Sequence, residues 1–171
     1  LAAPITGTSG FKVIGAGLGK TGTSSLNKAL QILGFQSQSA SSFRMTDSWV
    51  WGKWLAAVKS GGAARQLRQV VDFMLFTGLD AVVDEPTSVF AIELLQQFPD
   101  AKVILTTRKS SMQWFRSLQR ESNNMYLLTF PPYRTTMSGL IEAKKAWMSE
   151  SYGCAWLPGD EDAERCTVAY D

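Results

Sequence analysis

The sequence predicts an α/β domain in which a short parallel sheet lies between helices, giving three layers. Short apolar or β-branched segments at Phe11–Ile14, Leu79–Val83 and Ala101–Thr107 alternate with helical patterns along the chain. Such alternation is typical of parallel strands joined by right-handed crossovers. The chain has 171 residues, of which 45% are hydrophobic and 19% are charged, so we expect one domain over 1–171.

Amphipathic patterns follow the predicted strands. The first helix has Leu26, Leu30 and Leu33 on one face, with Thr21 or Thr23 as its N-cap and Gly34 at its end. Further helices are predicted at Trp49–Val58, Ala64–Phe76, Thr87–Phe98, Ser111–Arg120 and Met137–Met148. Ser37–Met45 is predicted to be a loop, and the acidic tail from Pro158 to be mobile. Because three strands are few for such a sheet, we expect that the C-terminal strand and helix are absent from this chain.

The composition excludes several kinds of site. The chain has no histidine, which excludes histidine metal ligands and histidine general bases. Its two cysteines, Cys154 and Cys166, are too few for a disulfide framework, and we interpret them as unrelated thiols. No run approaches the ~18 apolar residues of a membrane span, so we expect a soluble or peripheral protein. A first residue of Leu1 rather than Met indicates a partial product, or one processed by removal of a targeting peptide.

Positive charge is concentrated in the first part of the chain. Residues 1–68 have a net charge of +7, and residues 69–171 have a net charge of −5. A nucleic acid would need a broad basic face, so we expect no nucleic-acid partner. The asymmetry instead favours a small anionic ligand near the N-terminal part of the chain.

A glycine-rich loop, Gly15–Gly22, connects the first strand to the first helix. Lys20 and the hydroxyl residues after it supply a cation, side-chain hydroxyls and backbone N–H groups at a helix start, which is a cradle for a tetrahedral anion. Gly15 stands one residue too close to Lys20 for a Walker A loop, and Lys20 replaces the third glycine of a dinucleotide fingerprint. We therefore predict a P-loop-type anion site that follows neither motif. The alternative is a glycine-rich turn without a ligand, although a lysine at a helix N-terminus is unfavourable unless an anion is present.

Charged residues also follow the other two predicted strands. Asp84 and Glu85 follow the second strand, and Arg108 follows the third. Since ligands of parallel sheets bind at the carboxyl ends of the strands, we expect these residues to lie near the glycine-rich loop.

Several segments resemble the family of sulfotransferases that use 3′-phosphoadenosine 5′-phosphosulfate (PAPS). Residues 11–26 resemble the first motif of that family. Asp80–Pro86 is similar to its Asp-x-Pro segment, Phe98–Arg108 to its third strand, and Trp114–Ser117 to its Trp-aromatic-x-Ser helix. The resemblance covers about residues 11–118, with the motifs in the family's order.

The resemblance implies that the chain binds PAPS and the desulfated product PAP, without a metal, and transfers a sulfuryl group to a small hydroxyl or amine acceptor. Arg108 and Ser117 would bind the 3′-phosphate, and a guanidinium suits that task because it binds phosphate oxygens as a fork. Lys20 would also stabilise charge on the bridging oxygen. The residues implied to hold the 5′-phosphosulfate are Gly19, Lys20, Thr21, Gly22, Thr23 and Ser24.

The chain departs from the family pattern at the position where the general base is expected. Members often use a histidine soon after the first helix, where this chain has Ser37–Ser42. Glu85 or Asp84 can replace that base. Alternatively, these carboxylates only provide negative charge at the start of the helix that follows them.

Three functions therefore stay open. The first is a sulfotransferase with impaired catalysis. The second is an inactive sulfotransferase-like subunit of a larger assembly, which would need protein partners. The third is a P-loop kinase or NTPase, in which Thr21 and Asp84 would hold magnesium.

Overall fold

A parallel sheet forms the centre of the fold. The computed structural model describes residues 10–39, 48–61, 64–125, 130–132, 138–155, 158–168 and 170. Within these ranges the sheet has four strands in the order β2-β3-β1-β4, all parallel. The strands are β1 Val13–Gly15, β2 Ser37–Gln38, β3 Ala81–Val82 and β4 Lys102–Ile104. The predicted α/β class is confirmed.

Helices connect these strands. A 3-10 turn at Thr87–Phe90 precedes the fourth helix, and another at Asp160–Asp162 precedes the seventh. The helices are α1 Thr23–Ile32, α2 Ser48–Lys59, α3 Ala64–Phe76, α4 Ala91–Gln97, α5 Ser111–Met125, α6 Ser138–Tyr152 and α7 Ala163–Val168. Five of the six predicted helices are present within a few residues of their predicted ends, and the sixth, expected over Thr87–Phe98, begins as a 3-10 turn.

The two faces of the sheet are covered by different helices. Because side chains alternate along a strand, Val13 faces one side and Ile14 the other. Val13 packs with Leu30 of α1 and with Ala81. Ile14 belongs to the larger core, in which α2, α3, α5 and α6 meet and Trp54 is fully buried. These are the three layers expected for a parallel sheet with crossover helices.

The predicted loop at Ser37–Met45 is wrong at its start, because Ser37 and Gln38 form β2. The Val83 N–H donates to the Gln38 carbonyl at 3.2 Å, and the Asp80 N–H donates to the Gln36 carbonyl at 3.1 Å. These bonds join backbone groups, and the Gln36 N–H also donates to Asp80 Oδ1 at 2.8 Å. The polar side chains of β2 form no apolar pattern that predicts a strand. The sheet accordingly has one strand more than predicted, and residues 40–45 lie outside the described ranges.

The C-terminal part of the chain also differs from expectation. The tail from Pro158 is folded where it is described, with α7 packed against α5. Cys154 and Cys166 are both buried and form a disulfide, so their interpretation as unrelated thiols is wrong. The single-domain boundary and the missing C-terminal strand and helix stay predictions.

Candidate anion-binding site

The glycine-rich loop leaves β1 at the carboxyl edge of the sheet and leads into α1. Lys20 and Gly22 have φ values of 70° and 104°, in the left-handed region. Gly22 is the N-cap of α1, and within the described residues no side chain caps this helix, so the prediction of a Thr21 or Thr23 cap is wrong. The first turn of α1 contains no acidic residue either. The first backbone N–H groups of α1, at the positive end of the helix dipole, therefore have no side-chain cap, and a helix start of this kind can bind an anion.

The hydroxyl residues at the start of α1 have different environments. Thr21 is buried, and its hydroxyl donates to the Leu18 carbonyl at 2.6 Å and lies 2.8 Å from the Thr106 hydroxyl. Thr23 is buried and bonds the Asp84 carboxyl, whereas Ser24 is exposed. Thr21 therefore secures the loop to the end of β4, and Ser24 is open to a ligand.

Close approach explains two of the glycines. A Cβ atom at Gly17 would lie 2.7 Å from the Thr106 carbonyl oxygen. A Cβ atom at Gly19 would overlap the carboxylate of Glu85, with its Cδ only 2.7 Å away. Only glycine lets these neighbours come so near the loop backbone.

Glu85 braces the loop at Gly19. The Gly19 N–H donates to Glu85 Oε1 at 2.6 Å, and the Tyr152 hydroxyl donates to the same oxygen. Trp114 Nε1 donates to the Gly19 carbonyl at 2.8 Å. Burial and the nearby Glu85 carboxylate raise the pKa of Tyr152 well above its ordinary value, so Tyr152 stays a neutral donor. Gly19 is thus held from α5, from α6 and from the segment after β3.

Asp84 precedes Glu85 in the chain, and the pKa of its carboxyl differs from that of an ordinary aspartate. Burial, followed by the neighbouring Glu85 carboxylate, raises the pKa of Asp84 to about 7. Its φ of 74° is unusual for a residue other than glycine. Among the described residues, no side chain caps the 3-10 turn that starts after Pro86, so neither Asp84 nor Glu85 acts as a helix cap there.

The Lys20 ammonium is paired with a carboxylate from α5. Lys20 Nζ lies 3.0 Å from Glu121 Oε2, and Lys144 Nζ of α6 lies 3.5 Å from Glu121 Oε1. Burial would raise the pKa of Glu121, but the charges of Lys144 and Lys20 outweigh it and hold that pKa below its ordinary value. Glu121 is therefore ionised at neutral pH.

Arg108 lies against the loop, whereas Ser117 bonds within its own helix. Arg108 Nε donates to the Lys20 carbonyl at 2.5 Å. The Tyr170 hydroxyl accepts from the Arg108 N–H and donates to the Arg108 carbonyl, the latter at 3.0 Å. The Ser117 hydroxyl donates to the Gln113 carbonyl at 3.1 Å on α5.

The structure brings Arg108 and Glu85 against the glycine-rich loop, as expected from the strand ends, and their roles stay predictions. Sequence reasoning assigned no role to Glu121, Lys144 or Tyr152. These three side chains come from α5 and α6, far from the loop in sequence. In a single sequence nothing distinguishes them from other charged or aromatic residues on amphipathic helices.

Comparison with known proteins identifies the family. A family model described as a sulfotransferase domain matches residues 12–170. The chain belongs to this family, as its resemblance to sulfotransferases predicts. A similar curated protein is "Ava biosynthesis cluster protein M" of Aspergillus versicolor, 38% identical over 112 residues, which are 64% of this chain and 42% of that protein. The chain thus spans about two fifths of the length of this relative.

Neither a membrane-spanning helix nor a metal-binding cluster is present in the described part of the chain. None of the helices in the described ranges is both long and apolar enough to cross a bilayer. The same part of the chain contains no cluster of three or more aspartate, glutamate or cysteine side chains that could hold a metal ion.

Proposed function

We propose that this domain binds PAPS and PAP at Gly19–Ser24 and Arg108, and that it transfers the sulfuryl group to a small hydroxyl or amine acceptor. The observation that carries the proposal is that two cations and the positive end of a helix dipole meet at one loop. These are the ammonium of Lys20, the guanidinium of Arg108 and the uncapped start of α1. Membership of the sulfotransferase family supports PAPS as the anion.

The residues of the loop fit a phosphosulfate group. Apart from Gly22 and its two neighbours in the chain, no atom of the described residues lies within 4 Å of a Cβ position at Gly22, so there is open space at the helix start. The Lys20 side chain is 34% exposed and can be reached by a ligand. When bound, PAPS would supply the sulfuryl group and leave as PAP.

The proposal gives the residues around the loop three different roles. The backbone N–H groups of Gly22, Thr23 and Ser24 bind anionic oxygens at the positive end of α1. Lys20 neutralises negative charge and stabilises its increase during transfer. Arg108, with Ser117, binds the 3′-phosphate, because a guanidinium can contact two phosphate oxygens at once.

We assign the general base to Asp84 rather than to Glu85. A base with a pKa near the working pH is partly ionised and still accepts a proton strongly, and the pKa of Asp84 is about 7. Glu85 Oε1 already accepts two hydrogen bonds from the protein, which suits a structural brace. In this assignment Asp84 takes the proton of the acceptor, the task that histidine performs in many relatives.

The test is PAP release from PAPS in the presence of small phenols, alcohols and amines. We expect acceptor-dependent release, reduced about 100-fold or more in Asp84→Asn, since general bases contribute roughly 10²–10⁴-fold. An Asp84→Asn variant that works at the wild-type rate would refute the assignment of the base.

A second candidate function is an inactive subunit that uses the sulfotransferase fold to bind a protein partner. Two observations favour it: the chain has no histidine, and the edge strand β4 leads into exposed apolar residues. Val103 is 46% and Leu105 is 68% exposed. Uncovered strand edges tend to pair with another chain. Tight PAP binding without turnover of any acceptor would favour this candidate.

The kinase or NTPase alternative has less support. The Thr21 hydroxyl that would bind magnesium is engaged by Leu18 and Thr106. Family membership also favours sulfuryl transfer over phosphoryl transfer.

A further inference from the structure

We infer that Glu121 is an internal counter-ion of Lys20, which an incoming anion replaces while Glu121 stays paired with Lys144. The identity of the anion as PAPS or PAP rests on the function proposed above. The counter-ion exchange itself is argued from Lys20, Glu121 and Lys144, and the Glu121 carboxylate also acts electrostatically on Asp84 and Tyr152.

The two contacts of Glu121 use different oxygens. Oε2 lies 3.0 Å from Lys20 Nζ, and Oε1 lies 3.5 Å from Lys144 Nζ. The lysines belong to separate elements, the glycine-rich loop and α6. One ion pair can therefore break while the other remains.

The burial of the three side chains makes the exchange effective. The Lys20, Glu121 and Lys144 side chains are 34%, 30% and 17% exposed. A pair with this degree of burial is screened less than a surface pair, so it competes with a ligand for Lys20. Lys20 is nevertheless exposed enough for an anion to reach it.

Lys144 limits the destabilisation of the Glu121 carboxylate when Lys20 binds an anion. A partly buried carboxylate that loses its only cation is strongly destabilised. Because Lys144 remains 3.5 Å from Glu121, the carboxylate keeps a partner when Lys20 turns to the anion. Lys144 therefore promotes anion binding through Glu121, and both are positioning residues that act on Lys20.

The experiment is a double-mutant cycle on PAP affinity, measured by calorimetry with the whole chain. We expect Glu121→Gln to tighten PAP binding about fivefold and Lys144→Met to weaken it about tenfold, within the range of coupled neighbours. In the Glu121→Gln background, Lys144→Met should change the Kd by less than about twofold, because position 121 then carries no charge for Lys144 to stabilise.

Simple charge attraction predicts a different result. If Lys144 only attracts the anion from a distance, its replacement weakens binding equally in both backgrounds, and the inference is wrong. Unchanged or weaker PAP binding by Glu121→Gln would also overturn it.

The neighbouring pair on α6 supplies matched controls. Lys145 Nζ lies 3.1 Å from Glu142 Oε1, and both side chains are about half exposed. Lys145→Met and Glu142→Gln make the same charge changes as the two tested variants, Lys145→Met on the same helix as Lys144, and we expect less than a twofold effect on the Kd. Thermal unfolding of every variant shows whether a loss of affinity reflects a loss of fold.

Inorganic pyrophosphate serves as a second probe that separates the two proposals. If PAP does not bind but pyrophosphate shows the expected cycle, the cofactor assignment fails and the exchange stands. If PAP binds and the cycle is additive, the exchange fails alone. If neither probe binds the wild type or Glu121→Gln, both proposals are overturned.

Discussion

Lys20 is the residue on which the proposed cofactor site depends most. Its ammonium is the cation of the glycine-rich loop, and α1 offers only backbone dipoles and hydroxyls beside it. We expect Lys20→Ala to weaken PAP binding at least about tenfold, the effect of losing one charge-assisted contact. Lys28→Ala removes an exposed lysine from the same helix and should leave the Kd unchanged. Calorimetric titration of both variants makes the comparison, and equal affinities would remove Lys20 from the site.

Asp84 should make the stability of the fold depend on pH. Its pKa is raised from 3.8 to about 7, so the folded chain binds this proton more tightly than the unfolded chain does. The free energy of unfolding should therefore fall as pH rises from about 4 to 7, by up to about 4 kcal/mol at roughly 1.4 kcal/mol per unit. Above pH 7 this contribution no longer changes.

Urea unfolding at several pH values between 5 and 8 tests this dependence. The decline should be smaller in Asp84→Asn, which has no carboxyl to ionise at this position. Asp72→Asn changes an exposed aspartate on α3 and should keep the wild-type slope. Parallel pH curves for wild type and Asp84→Asn would show that Asp84 is an ordinary aspartate.

At the residue scale, the sequence was sufficient to predict that Lys20 and Arg108 lie close together. Lys20 and Arg108 follow strands that end at one edge of a parallel sheet, so their proximity follows from general rules. The pairing of Lys20 with Glu121 does not follow, because it depends on how α5 lies beside the loop. The roles of Asp84 and Glu85 could be separated only after Gly19 and Tyr152 were seen to share one oxygen of Glu85.

At the scale of elements, the glycine-rich loop and α2 each contain a glycine, and the two differ in whether there is room for a side chain. A side chain at Gly19 would overlap the Glu85 carboxylate, whereas a Cβ at Gly52 in α2 meets no described atom within 4 Å. We expect Gly19→Ala to destabilise the fold by about 1–3 kcal/mol through overpacking. Gly52→Ala should stabilise it by about 0.5–1 kcal/mol, because alanine is the better helix former.

Chemical unfolding of the two alanine variants tests this contrast, and PAP binding adds a second measurement. Gly19→Ala should also lose PAP affinity, since the brace and the loop must shift together. Equal stability of the two variants would mean that the loop tolerates a side chain and that the hydrogen bond between Gly19 and Glu85 contributes little to stability.

Elements with a strong hydrophobic pattern were the ones that sequence predicted well. The α3 helix spans Ala64–Phe76, as predicted from an apolar face that includes the buried residues Leu67, Val71 and Met74. Strand β2 has no such stripe, because it joins the sheet through backbone hydrogen bonds beside β3. The predicted N-cap of α1 is also wrong, because the hydroxyls of Thr21 and Thr23 bond other groups.

At the scale of the whole molecule, the disulfide links the end of α6 to α7. Cys154 and Cys166 are 12 residues apart, and closing a loop of about this length stabilises a fold by roughly 3 kcal/mol. We expect reductant to lower the free energy of unfolding by about that amount. Unfolding of the wild type with and without reductant measures it.

A variant with both Cys154→Ser and Cys166→Ser provides the control, because it should not respond to reductant. Detection of two free thiols in the denatured, unreduced chain would contradict the disulfide. Sequence could not predict this link, because spacing alone does not show that α7 folds back onto α5 and α6.

The proposed function depends on binding of the bisphosphate PAP by the glycine-rich loop. The most direct measurement is calorimetric titration of the purified, folded chain with PAP, with Mg·ATP titrated in parallel. We predict that PAP binds without metal and that Mg·ATP does not compete with it. Binding of Mg·ATP alone would indicate a kinase-like site, and failure of the folded chain to bind either nucleotide would contradict the proposed function.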